Sequence, residues 1–142
     1  MSNAWVTLSG VTERGEPFTA KRLAVLPDTQ TRENFRFMMS IGWAYAVEGS
    51  NRLPNDQELE RIAACEHALM IAAPNFDAIL VGALSSDGFH QFVLYARDLK
   101  LAQIRATAVL PKPLTRKETA EIWNTSGTLD ESWNFAEQIP IS

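Results

Sequence analysis

The side chain that most invites a chemical reading is Glu66. At helical spacing it lies three or four positions from Ile62, Ala63, Leu69 and Met70, so a carboxylate falls in the middle of an apolar stripe. An unpaired buried charge is costly, and such a group needs a partner or a raised pKa. The candidate partners are Arg97, Arg36 or a backbone donor. With Arg97, Glu66 could form a ligand-binding or acid–base site. The plainer reading, and the favoured one, is a satisfied core acid that fixes a helix against a sheet. Cys65 and His67 flank Glu66 and suggest a nucleophile with its base. Successive helical positions point about 100° apart, however, so Cys65 and His67 do not face each other. Cys65 reads as small helix packing. His67 and His90 are the only histidines, and their spacing fits no zinc-ligand pattern. Ser9-Gly10 and Gly82 match no phosphate-cradling loop. No catalytic residue, metal or cofactor is therefore assigned.

The tryptophans are the second set. Trp43 sits on the large face of a predicted strand and reads as core. Trp133, with Phe135 in a polar tail, is the better interface candidate, since tryptophan is enriched where chains meet.

These side chains must be positioned by a small set of elements. Trp5 to Leu8 and Phe18 to Leu26 are strand candidates joined by the polar turn Thr12–Pro17, and a second polar break spans Pro27–Thr31. From Phe35 to Val47 large apolar residues fall on every second position, which predicts a strand with one large face and one small face. After a Gly/Ser/Asn/Pro loop over Glu48–Pro54, Asn55 and Glu58 have the spacing of a capping box. The stripe Leu59, Ile62, Ala63, Leu69, Met70, Ala73 then predicts a helix that ends near Pro74. Ala78–Leu84 and Phe89–Ala96 predict a hairpin around Asp87-Gly88, because a tight turn of this kind needs positive φ. With a two-residue loop, Ala83 opposes Phe92 and Val81 opposes Leu94. Both faces of that hairpin are apolar, so something must cover the second one, either the N-terminal hairpin or another subunit. Asp98 can cap a helix through Ala108, while Ile104 to Val109 has some strand character, and the helix is the preferred reading. Thr115 and Glu118 suggest a short helix to Trp123, Asn124–Asp130 a loop, and Ser132–Glu137 a short tail.

Composition bounds the rest. The 142 residues, 46% hydrophobic and 21% charged, suit one domain spanning 1–142 with a sizeable core. A formal net charge of -4, with 13 basic against 17 acidic residues scattered along the chain, argues against nucleic-acid binding. Lys112 to Lys117 reads as a solvated loop. One cysteine excludes an internal disulfide and a cysteine-based metal cluster. No apolar run reaches the roughly 18 residues of a membrane span, and no signal peptide is legible, so a soluble cytoplasmic protein is expected.

Leu53-Pro54, Glu58-Leu59, Glu66 and Leu69, then Ile79-Leu80-Val81-Gly82, Asp87-Gly88, Phe92 and Tyr95 to Asp98, together resemble an uncharacterised bacterial family, domain of unknown function family 695. The tail Asp130-Glu131-Ser132-Trp133 is similar to that family's closing D-x-x-W element. The family in turn resembles in layout the inhibitor proteins of ribonuclease E. That implies a ferredoxin-like β-α-β-β-α-β core and no established catalytic residue.

The expected fold is α+β: an antiparallel sheet with one long packed helix, ferredoxin-like, with an added N-terminal β-hairpin. The expected function is a non-catalytic protein-binding or regulatory module with a protein partner, and a possible homodimer through the small-residue face of the Phe35–Val47 strand or a sheet edge. The alternative is a small-molecule-binding protein or enzyme with a site around Glu66 and Arg97.

Overall fold

The strongest periodicities in the chain become its regular elements. In the computed structural model, which describes residues 5–11, 14–44, 56–86, 88–109 and 123–139, the alternating segment is β3 (Phe37–Ala44) and the apolar stripe is α2 (Asp56–Ala72). Before them come β1 (Trp5–Val11), β2 (Pro17–Leu23) and a short helix α1 (Thr29–Asn34). After them come β4 (Ala78–Ser86), β5 (Phe89–Ala96), α3 (Leu99–Val109), β6 (Trp123–Leu129) and α4 (Asn134–Gln138). A single 3₁₀ turn, Ala73–Phe76, ends α2 where Pro74 stops α-helical bonding.

All six strands form one antiparallel sheet in the order β1-β2-β4-β5-β3-β6. β5 lies between β3 and β4, and β3 lies between β5 and β6. The connections β3–α2–β4 and β5–α3–β6 therefore each step over one strand, and each puts a helix on the sheet. The N-terminal hairpin β1–β2 extends the sheet beyond β4; it covers neither face.

Two apolar cores result. Met39, Ile41, Leu80, Phe92 and Leu94 meet Ile62, Cys65 and Leu69 of α2 and Ala102 and Ala106 of α3. On the opposite face Val81, Val93 and Tyr95 meet Trp133, Ala136 and Ile139. The cover expected for the second face is thus supplied by the chain's own C-terminal segment.

Several sequence expectations need correction. Val81 does not oppose Leu94: Leu80 pairs with Leu94 and Gly82 with Val93, so Val81 is the extra residue of a bulge. One extra residue reverses the alternation, and Leu80 and Leu94 face the helices while Val81 joins Tyr95 on the other side. Asn124–Asp130 is not a loop but mostly strand β6, paired along β3 from Trp43↔Trp123 to Phe37↔Leu129. The polar break at Pro27–Thr31 runs into α1, whose Asp28 side chain accepts a hydrogen bond from the Thr31 N–H at 2.8 Å. That bond holds the Asp28 carboxyl below its ordinary pKa. The Asn55 cap and the Thr115–Glu118 helix lie outside the described residues.

Two glycines admit close packing. At Gly82 a Cβ would stand 2.7 Å from Ile139 Cδ1, and at Gly127 it would collide with the Leu99 side chain. A larger residue at either position would require the Ile139 or Leu99 side chain to move aside.

Candidate functional site

The strand register sets two rows of side chains side by side on the helix-bearing face. Thr7, Lys21, Ala83 and Phe92 are paired in succession across β1, β2, β4 and β5, and so are Ser9, Thr19, Ser85 and His90. α2 lies over these rows. Between helix and sheet is a cavity of about 200 Å³. Its apolar wall is Leu59, Ile62, Ala63 and Ala83, and its polar groups are Thr7, Thr19, Lys21, Glu66, Ser85 and His90.

Each polar group has a definite setting. Lys21 Nζ donates to Glu66 Oε2 at 2.5 Å and stands 5.4 Å from the centre of the Trp5 ring. Both side chains of the pair are partly covered, 33% and 15% exposed for Lys21 and Glu66. Ser85 Oγ and His90 Nδ1 share a short hydrogen bond across the hairpin. The His90 ring meets Phe92 edge to face, with centroids 4.5 Å apart. Burial, and then the Lys21 charge, push the imidazole down to a pKa of about 4, so it is neutral at physiological pH. Its Nε2 is the only buried side-chain nitrogen or oxygen among the described residues without a hydrogen-bond partner.

Cys65 lies on the same helix turn as Glu66, but inside the core. Burial, then the Glu66 charge, raise its thiol to about 12, which removes the thiolate a nucleophile requires.

The structure brings Glu66 together with Lys21, not with an arginine. Arg97 follows β5, is exposed, and places its guanidinium 5.5 Å from the centre of the Phe35 ring, which belongs to the second core. Arg36 pairs at 3.3 Å with Glu131. The proposed Glu66–Arg97 site is therefore not assembled. The reason is that β2 pairs with β4 and delivers Lys21 opposite Ala83, under α2. His67 is exposed and separate from His90. No group of three metal-ligating side chains stands together among the described residues.

Ser85, His90, Thr19 and Lys21 are the site residues that sequence reasoning passed over. Counting outward from Asp87-Gly88 pairs Ser86 with Phe89 and Ser85 with His90, so that contact had a local signal. Lys21 had none, because its position depends on a pairing with a strand far along the chain.

The second face holds a different polar group. Tyr95 Oη donates to Asp130 Oδ2 at 2.7 Å and accepts the Ala136 N–H at 3.1 Å. Asp130 also accepts the N–H groups of Asn134 and Phe135, both at 2.9 Å. Trp133 stacks on Tyr95 with centroids 4.0 Å apart and donates its indole N–H to the Phe35 carbonyl at 2.8 Å. Burial, and then the bond to Asp130, hold the Tyr95 phenol above its ordinary pKa. Trp133, expected as an interface residue, is completely buried within its own chain, and Phe135 packs half-buried beside it. An indole buried in this way presents no surface to a partner.

Compared with known proteins, the chain matches the pattern of the family described as "Family of unknown function (DUF695)" over residues 14–138. The match covers most of its length, and the chain belongs to that family. No curated protein matches it, and no solved structure does.

Proposed function

We propose that this member of a family of unknown function is a non-catalytic small-molecule-binding domain, with its ligand in the cavity between α2 and β1–β2–β4–β5. The observation that carries this reading is the cavity's lining, which combines the partly covered Lys21–Glu66 pair with the ring of His90, whose Nε2 is buried without a partner. Buried polar atoms in folded proteins almost always have a hydrogen-bond partner, and an exception on a residue that lines a cavity supports a bound molecule there. At about 200 Å³ the cavity suits a small molecule. The functional pair becomes Glu66 with Lys21 in place of Glu66 with Arg97. The test is a thermal-shift and NMR screen of the full chain against mixtures of small polar metabolites. The expected result is a ligand that moves the His90 and Lys21 signals and has no effect on an S85A/H90F variant. Indifference of the cavity to every mixture would overturn the reading.

The expected protein-binding or regulatory role rests on a separate observation. The outer surfaces of α2 and α3 expose Met70, Ile71, Leu101 and Ile104, the second and fourth of these more than half exposed. A homodimer or a protein partner on these helices is the second reading. It replaces the small-residue face of β3, whose Ser40 is buried and bonded to Gln91 Nε2 at 2.6 Å. Sedimentation at increasing concentration checks it: association that M70S/I71S abolishes supports the helices, and a monomer throughout counts against a homodimer. The strand order β4-β5-β3-β6 with its two stepped-over connections supports a ferredoxin-like description of the core. We place the protein in the cytoplasm and assign it no nucleic-acid partner, in line with its acidic balance. No helix of the described residues is long and apolar enough to cross a membrane.

A further inference from the structure

We infer that the ligand of this cavity is a small zwitterion, an ammonium and a carboxylate on one short skeleton, as in an α-amino acid with a short apolar or hydroxyl side chain. The inference rests on the ligand-binding reading above and goes further by naming the chemistry.

It follows from what the polar groups still have to offer. Glu66 binds Lys21 through Oε2, which leaves Oε1 as an anionic acceptor. Lys21 has three N–H donors and gives one to Glu66, which leaves two. His90 contributes the unpartnered Nε2. Its Nδ1 bonds the Ser85 hydroxyl, which can rotate to donate or accept, so the ring can carry its proton on Nε2. The cavity therefore offers a cation and, bonded to it, a carboxylate with a free oxygen, beside the His90 ring. A ligand bearing only a carboxylate would satisfy Lys21 but would lie against the Glu66 charge. A ligand bearing only an ammonium would satisfy Glu66 but would lie against Lys21. A zwitterion answers both and leaves the buried charges balanced, which matters because uncompensated charge in a partly desolvated site is costly. The rest of the wall fits a small substituent: Ile62, Ala63 and Ala83 offer apolar contact and Thr19 a hydroxyl.

The test uses the full chain and named probes. Glycine, L-alanine, L-serine and L-valine are titrated while the imidazole signals of His90 are followed by NMR, with exposed His67 as the internal reference. For valine, isovalerate removes the ammonium and isobutylamine removes the carboxylate. The expected result is saturable binding of at least one amino acid, weakened about tenfold or more by loss of either charge. K21M and E66Q should weaken binding by a similar factor while the amide spectrum stays that of the parent fold. The ligand carboxylate, joining Glu66 and Lys21 as the charges facing His90, should also raise the pH at which His90 titrates, a shift readable in the parent protein without any variant. Isovalerate or isobutylamine binding as tightly as valine would overturn the zwitterion and leave the cavity a ligand site. Silence from all the amino acids at tens of millimolar, with His90 responding to another metabolite, would do the same. Silence of His90 toward every compound would overturn both.

Discussion

The two faces of this sheet treat buried polar groups in opposite ways. On the face covered by the C-terminal segment, Tyr95, Asp130, Trp133 and Arg22 are answered by the protein itself. Arg22 donates through Nη1 to the Ala136 carbonyl at 3.2 Å, and Asp130 fixes both the Tyr95 phenol and the first turn of α4. On the face covered by α2, one ring nitrogen of His90 is left over beside a cavity that also holds an incompletely used ion pair. Satisfied networks specify a fold, whereas an unsatisfied one costs stability unless something else binds there. The first face is closed by the protein's own groups, and the second is the one to which the proposal assigns a ligand.

Substitutions on the structural face should cost the most. Trp133→Ala removes a fully buried indole together with its stack on Tyr95 and its bond to Phe35, and should lower stability by about 3–5 kcal/mol in equilibrium urea unfolding. A loss below about 1 kcal/mol would show that the C-terminal segment does not hold that face.

The pH dependence should report the other face. His90 titrates near 4 in the fold against about 6.5 when unfolded. Its folded pKa is depressed, so between those values the unfolded chain binds the extra proton. Stability is complete above about pH 6.5 and falls as pH drops toward 4, by about 3 kcal/mol from this group. Lys21 and Glu66 are the charges facing the ring. An S85A/H90F variant should lose most of that slope in urea midpoints measured from pH 7 to pH 4. An unchanged slope would place the acid sensitivity elsewhere.

Asp130→Ala should cost about 1–3 kcal/mol, since it strands the Tyr95 hydroxyl and two backbone N–H groups at once. Glu66→Gln sits at the small end, at most about 1 kcal/mol, because Lys21 keeps a third of its side chain in water. Its effect on ligand binding should be the larger one. The reverse order for Asp130 and Glu66 would erase the contrast between the faces.

What the sequence revealed of this arrangement follows the range of each interaction. The alternation of β3 and the stripe of α2 are local signals that became the elements they suggested, and the strands flanking Asp87-Gly88 pair as that dipeptide suggested. The bulge at Val81 left no local trace except a following glycine, and it exchanged the faces of Leu80 and Val81. β6 was hidden because an edge strand, paired among the described residues with β3 alone, can be polar: Ser126, Gly127 and Thr128 are exposed. Glu66 was recognisable as a carboxylate in need of a partner, but its partner arrived on a hairpin added to the far side of β4. Trp133 looked like a surface residue because its neighbours are polar, while its ring turns inward onto Tyr95.

The contrast between the faces is tested most directly by equilibrium unfolding at pH 7 of S85A/H90F beside Y95F/D130A. Each variant removes both members of a buried hydrogen-bonded pair, one from each face. The expected result is that S85A/H90F stays within about 1 kcal/mol of the parent or gains stability, because it also removes the unpartnered nitrogen, while Y95F/D130A loses about 2 kcal/mol or more. A loss for S85A/H90F equal to that of Y95F/D130A would contradict the assignment of the α2 face to ligand binding and make the Ser85–His90 pair a structural element like its counterpart.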